Sequence, residues 1–354
     1  MKTLLLSILI YFCICLSTHP GIALGAEAEP LVIAHRGASG YLPEHTLEAK
    51  ALAHAQGADY IEQDVVMSKD DQLIVFHDLT LNRVTNVEEV FPGKARSDGQ
   101  YYVIDFTLEE LKKLQVIQGQ RQQTYSIHTL QEEIELIQGL NEILKLNTGI
   151  YPELKSPWFH HQEGKDLARA TLEVLKNYGY DSKDDAIYVQ SFDYNEIVRL
   201  REELLPELGI DLKLVQLIAF NNWGETFTLN ADNSLETYDY NWMFTQEGIN
   251  QLSTLVQGLG PSIDMIVSPD STTGNLSITS FVTLAHDAGL EIHPYTFRDE
   301  RARMPSYAES FDNLLDIFLR QITVDGVFTD YPDLVRHFID DQGSEPKLSK
   351  PKVQ

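Results

Sequence analysis

A chain of 354 residues with 43% hydrophobic and 23% charged residues is globular in make-up, long enough for one large α/β domain or two ordinary ones, and not disordered. A formal net charge of −26 argues against nucleic acid and anionic membrane as partners, because both attract basic surfaces. Any phosphate handled by such a chain must be met in a local positive pocket, which a divalent cation helps to create.

The first 18 residues, "MKTLLLSILIYFCICLST", place Lys2 before an apolar core from Leu4 to Leu16, and small and turn-forming residues follow up to Ala26. This is the layout of a secretory signal, too short and wrongly flanked for a membrane span. Residues 1–26 are therefore expected to be removed, although Leu24 is an imperfect fit to the outer small pocket. The only two cysteines, Cys13 and Cys15, fall inside this segment, so the exported chain would carry no disulfide and rely on its core. Phe12 and Ile14 stand where a lipoprotein signal needs a small residue, so simple export to a periplasmic location is preferred to lipid anchoring, with no stable membrane insertion after cleavage.

Strand-like runs follow in order: "LVIAH" (31–35), "YIEQDVVMS" (60–68), "LIVFH" (73–77), "GIYPELK" (149–155), "AIYVQSF" (186–192), "LKLVQLIAF" (212–220), "SIDMIVSP" (262–269), "EIHPYTF" (291–297) and "GVFTDYP" (326–332). Between many of them lie segments of helical period, such as "TLEAKALAHAQG", "DLARATLEVLKNYG", "YNEIVRLREELLPELG", "ITSFVTLAHDAG" and "DNLLDIFLRQ", several ending at glycine. Alternation of this kind predicts a parallel sheet. With 73–77 as the return arm of a hairpin, eight strands remain, which fits a (β/α)8 TIM barrel over 27–341 better than a doubly wound sheet. "HRGASG" is not the glycine-rich phosphate loop that a doubly wound sheet normally carries after its first strand. Residues 79–148 interrupt the alternation and are expected to form a small inserted subdomain, and 342–354 a polar tail. The aromatic-rich stretch from Asn221 to Thr245 is read equally as a lid or as a hydrophobic cluster pinning a long loop or touching a second copy, which leaves a homodimer open.

In a barrel, functional side chains leave the C-terminal ends of the strands. The first strand ends in His35 and Arg36; the second carries Glu62 and Asp64, two residues apart and so on one face, roughly 6–7 Å apart. The hairpin arm ends in His77 and Asp78, and the next barrel strand carries Glu153 and Lys155. Each alone has a bland explanation: a solvated carboxylate, or a capped turn for His77–Asp78. His160 and His161 point opposite ways on extended chain and read as a polar loop, and His54, His128, His286 and His337 as surface residues. Taken together, three carboxylates at one mouth repel unless a hard, oxygen-ligated divalent cation neutralises them, and the absence of an HExxH pattern argues against zinc. Two imidazoles beside an arginine and a lysine then suit phosphodiester cleavage, one removing a proton and the other protonating the departing alkoxide.

Several long blocks carry a resemblance: "HRGASGYLPEHT", "GADYIEQDVVMSKDDQLIVFHD", "GIYPELKSPWFHHQEGKD" and "GVFTDYPD". From about Leu31 to about Phe338 the chain resembles the glycerophosphodiester phosphodiesterase family, in particular its periplasmic bacterial members. The resemblance implies a TIM barrel with a small insertion. It also implies hydrolysis of glycerophosphocholine, glycerophosphoethanolamine and similar small diesters to glycerol 3-phosphate and an alcohol. It places the acid/base pair on His35 and His77, the phosphate-binding arginine on Arg36, and the metal carboxylates on Glu62, Asp64 and Glu153, with Ca2+ the usual ion and Mg2+ the alternative. Lys155 falls on a lysine near the phosphate or the glycerol hydroxyls. The expected order is His35 as base and His77 as acid. The rival readings are a phospholipase acting on intact lipid on the same barrel, and a surface binding protein that keeps the barrel without turnover.

Overall fold

A computed structural model describes residues 29–117, 124–230 and 234–341; the expected leader, 1–26, and tail, 342–354, lie outside the described residues. In chain order the strands are β1 (Leu31–Ala34), β2 (Tyr60–Met67), β3 (Leu73–Val75), β4 (His128–Thr129), β5 (Gly149–Leu154), β6 (Tyr188–Ser191), β7 (Lys213–Ile218), β8 (Phe227–Leu229), β9 (Leu235–Thr237), β10 (Gly258–Pro261), β11 (Glu291–Ile292) and β12 (Gly326–Thr329). Eight of them pair in parallel in the order β11-β10-β7-β6-β5-β2-β1-β12. The ring closes where Phe328 N donates to Pro294 O and Phe297 N to Phe328 O. This is the TIM barrel expected from the strand–helix alternation.

The barrel strands are apolar on both faces because helices cover the outside and side chains fill the inside. Ile33, Tyr151, Tyr188, Val215 and Phe328 plug the interior, with the Tyr151 and Tyr188 rings stacked at 4.9 Å. Outside, helices turn one stripe inward; the helix Leu167–Asn177 buries Leu167, Ala168, Thr171, Leu172 and Leu175 at three- and four-residue spacing. Among the described residues no helix is long and apolar enough to cross a membrane.

β2 continues into an antiparallel hairpin with β3, Val65 opposite Val75, and β3 pairs in turn with β4. Behind this hairpin lies a second, smaller core in which Val66, Ile74 and Phe76 meet Phe106, Leu111, Val116 and Ile127 of the insertion. The insertion is shorter than expected. The helix Leu130–Leu144 sends Leu130, Ile134 and Ile137 into the main core, so it is a barrel helix and the insertion's own core ends at Ile127.

Four further expectations are corrected. The sixth barrel strand is β10 at Gly258–Pro261, not 262–269; Ser262 caps the following turn by accepting from Asp264 N, which makes Ile263–Ile266 helical. The chain at 291–297 pairs as a regular strand only over Glu291–Ile292, with single bridges at Tyr295 and Phe297. His160 and His161 lie on the helix Pro157–Gln162 rather than on extended chain, and His160 is buried, with its Nε2 accepting from Met67 N at 3.1 Å. His54 is likewise buried, bonded to Asn141 Oδ1 at 2.9 Å, not a surface residue.

Candidate active site

All seven residues singled out in the sequence line one pocket of about 320 Å3 at the mouth of the barrel. The turn after β1 builds the first wall. Arg36 and Gly37 both adopt left-handed backbone, φ 59° and 87°, which lets the chain double back at once. A Cβ on Gly37 would sit 2.8 Å from the carbonyl carbon of Ala49, so only glycine lets this turn rest on the helix Leu47–Ala55. The folded-back Arg36 N–H donates to Glu62 Oε2 at 3.0 Å, and its guanidinium lies between Glu44 Oε2 and Asp64 Oδ2, each at 3.3 Å. Arg36 Nε is buried and makes no hydrogen bond. His35 Nδ1 lies 2.6 Å from Asp330 Oδ1 at the end of β12, and its Nε2 lies 3.9 Å from Glu62 Oε2. Bonding of Nδ1–H to the carboxylate leaves Nε2 as the nitrogen with a free lone pair.

His77 reaches the same pocket from a different direction, the return arm of the hairpin. Its Nδ1 is 2.5 Å from Asp78 Oδ1, and Arg83 holds Asp78 from behind at 2.6 Å. Burial, with the positive charges of Lys155 and Arg36, lowers His77 to about 4, so at neutral pH the imidazole is uncharged. Arg83 also bonds Glu44, at 2.5 Å, which clamps the insertion to the turn after β1. Glu44 is held at about 2: burial alone would raise it, and Arg83 and Arg36 outweigh that.

Glu62, Asp64 and Glu153 are all buried, and each offers an oxygen within 4.8 Å of the others. β2 and β5 bring them together by register, Asp64 lying directly opposite Glu153. Burial and the neighbouring carboxylates raise Glu62 and Glu153 above the usual range, Glu153 strongly. Burial would raise Asp64 too, but His45, His77 and Lys155 hold it well below. Lys155 pairs with Glu153 at 2.9 Å; burial disfavours its charge, but Glu153, Asp64 and Glu225 outweigh that and raise it. A buried, all-oxygen set in which burial and mutual crowding raise two of the carboxyl groups fits a hard divalent cation such as calcium or magnesium, which would relieve that crowding.

The aromatic stretch divides its labour. Trp223, nearly half exposed, and Glu225 line the pocket. Tyr240 is buried with its hydroxyl donating to Phe192 O at 3.2 Å, Trp242 packs edge-on to Tyr194, and Phe244 packs against Phe281. β8 and β9 form a small antiparallel hairpin within it.

Sequence reasoning missed the partners behind the seven: Asp330, Glu44, Arg83, His45 and Lys50. Asp330 and His45 stand inside the blocks that carried the resemblance. Lys50 left a weaker mark, a lysine on the same helical face as Ala53 and His54. Asp330 meets its partner 295 positions away, which no local pattern shows.

The pocket gathers the partly buried Arg36 guanidinium and the buried Lys155 ammonium, three buried carboxyl groups close enough to share a cation, and two imidazoles, an arrangement suited to a small anion. On a TIM barrel this defines a hydrolase of phosphate diesters. Comparison with known proteins narrows the class: the chain belongs to the glycerophosphoryl diester phosphodiesterase family, whose model matches residues 35–334. It is 44% identical over 331 residues to a glycerophosphodiester phosphodiesterase of Haemophilus influenzae, covering 88% of this chain and 90% of that one. It is 40% identical over 348 residues to one of Treponema pallidum, covering 93% and 97%. A solved phosphodiesterase of Oleispira antarctica, in complex with the product sn-glycerol 3-phosphate, superposes with a TM-score of 0.58 at 27% identity over 88% of this chain and 97% of that one. The chain is accordingly a phosphodiesterase, a hydrolase.

Proposed function

We propose that this enzyme hydrolyses small glycerophosphodiesters, such as glycerophosphocholine and glycerophosphoethanolamine, to sn-glycerol 3-phosphate and an alcohol, with a divalent cation, calcium in preference to magnesium, at Glu62, Asp64 and Glu153. The observation that carries the reading is the convergence of His35, His77, Arg36, Lys155 and the three carboxylates on one pocket. The product bound in the Oleispira antarctica relative supports glycerol 3-phosphate as the part retained. The apolar leader supports export to the periplasm.

Arg36 and Lys155 bind the phosphate oxygens and orient phosphorus toward the imidazoles. A cation held by the three carboxylates supplies further stabilisation of charge on the non-bridging oxygens. His35, oriented by Asp330, takes a proton at Nε2 from an attacking water, or from the glycerol 2-hydroxyl, in which case water must then open the cyclic phosphate so formed to give glycerol 3-phosphate. His77, neutral in the free site, takes up a proton when the diester anion offsets Lys155 and Arg36, and delivers it at Nε2 to the departing alkoxide oxygen.

A coupled assay for glycerol 3-phosphate released from glycerophosphocholine, with and without calcium, tests the function. His35→Ala and His77→Ala are each expected to lower kcat by about 10²–10⁴-fold while leaving calcium affinity near that of the parent. Full activity after exhaustive chelation would remove the cation from the mechanism, and near-normal turnover by His35→Ala would remove the base.

A further inference from the structure

Behind the carboxylate cluster, outside the pocket, a lysine is completely buried. Lys50 Nζ makes hydrogen bonds with His45 Nδ1, at 3.1 Å, and with the carbonyl oxygen of Glu62, and it pairs with Glu133 Oε2 at 3.2 Å. Glu133 comes from the barrel helix Leu130–Leu144 and is itself fully buried, which sets a carboxyl group against the lysine in the interior. His45 sits in left-handed backbone, φ 59°, with its N–H donating to Arg36 O at 3.0 Å, so the imidazole is tied to the same turn that carries Arg36. Its other nitrogen, Nε2, lies 2.7 Å from Asp64 Oδ2.

An ammonium has no lone pair and can only donate. His45 Nδ1 must therefore accept, and the single proton of the neutral ring must sit on Nε2, where it donates to Asp64. The opposite tautomer would set a ring lone pair against a carboxylate lone pair and push Asp64 away. We propose that Lys50 is a positioning residue for the acidic cluster: it fixes His45 as the Nε2–H tautomer, which anchors Asp64 through Oδ2 and leaves Oδ1 for the cation, while its bond to the Glu62 carbonyl holds the neighbouring ligand's backbone. The proposal rests on the reading of Glu62, Asp64 and Glu153 as cation ligands. None of the seven pocket residues performs this task, and nothing in the phosphate chemistry requires Lys50 to touch substrate.

Long-range proton–nitrogen correlation spectra of 15N-histidine-labelled protein, with His45 assigned through His45→Gln, read the tautomer directly. The proton is expected on Nε2 in the parent and redistributed toward Nδ1 in Lys50→Met. Calorimetric calcium titration of Lys50→Met is expected to show affinity weakened about 10–100-fold. In a His45→Gln background, whose amide N–H has no tautomer to set, the same Lys50→Met change is expected to cost less than about threefold, a coupling that a purely structural lysine would not show. A parent His45 protonated on Nδ1, a folded Lys50→Met with unchanged calcium affinity, or an equal loss in both backgrounds overturns the proposal. If Lys50→Met does not fold, the parent tautomer decides: Nε2–H upholds the proposal and Nδ1–H overturns it. Parent protein that binds neither calcium nor magnesium overturns the cation-site reading instead, and the parent tautomer still decides whether Lys50 sets the His45 proton.

Discussion

The two imidazoles are matched in geometry and differ in setting. Each gives Nδ1 to an aspartate, Asp330 or Asp78, which on the proposed mechanism keeps Nε2 for the reaction. His77 is lowered by burial and by the positive charges of Lys155 and Arg36, and that fixes a sign. Its value near 4 lies below the ordinary 6.5, and an incoming diester anion opposes Lys155 and Arg36, so the bound state has the higher pKa and binding takes up a proton. A non-cleavable glycerophosphodiester analogue, whose phosphate does not titrate in this range, should bind more tightly as pH falls from 7 to 5. Its calorimetric binding enthalpy should depend on the buffer, and His77→Gln should abolish both effects; pH-independent binding by the parent would show that His77 stays neutral. At this scale the sequence was legible where polarity broke a buried strand: His35, Arg36, Glu62, Asp64, Glu153 and Lys155 stood out for that reason. Lys50, Arg83 and Asp330 did not, because a residue that acts through another is recognised only when the fold has brought the two together.

The elements show where local pattern and tertiary packing part company. "SIDMIVSP" has the β-branched character of a strand, yet the strand is "GLGP" just before it. Gly260 lies directly opposite Leu217 of β7, and a Cβ there would come within 2.5 Å of the leucine's terminal methyl, so the glycine leaves that side chain its place between the strands. Helix Leu130–Leu144 follows the inserted segment without a break, and only the burial of its apolar stripe against the barrel assigns it. The turn after β1 is the element on which the site most depends. Gly37→Ala meets both a left-handed φ and the Ala49 backbone, so it is expected to destabilise the protein by about 1–3 kcal/mol. Because Arg36 moves with the turn and its N–H holds Glu62, kcat/KM should fall at least about tenfold in folded protein. Parent-like melting and kinetics together would show that the turn yields without consequence.

For the whole molecule, burying neutral histidines makes stability depend on acid. Burial lowers His160 to about 4, below the ordinary 6.5, so between those values the unfolded chain binds a proton that the native state refuses. Its contribution is fully present above pH 6.5 and is lost as pH falls toward 4. His293, buried in the barrel, behaves alike. Glu133 opposes them: burial raises it to about 7, so its contribution is lost as pH rises from 4.5 toward 7. The histidine effect is therefore best isolated by difference. The stability gap between the parent and His160→Gln is expected to shrink by about 2 kcal/mol from pH 7 to pH 4.5 in denaturant titrations. A gap independent of pH would mean that the native state accommodates the charged ring.

The barrel and the insertion keep separate cores, yet His35 stands on one and His77 on the other. The hairpin that carries His77 joins them, with Leu73 and Val75 in the barrel core and Ile74 and Phe76 in the smaller one. On the proposed mechanism the smaller core, with fewer buried residues, is expected to loosen first on heating. Catalysis is then expected to fade in a population whose barrel is still whole, and to return on cooling without refolding of the rest.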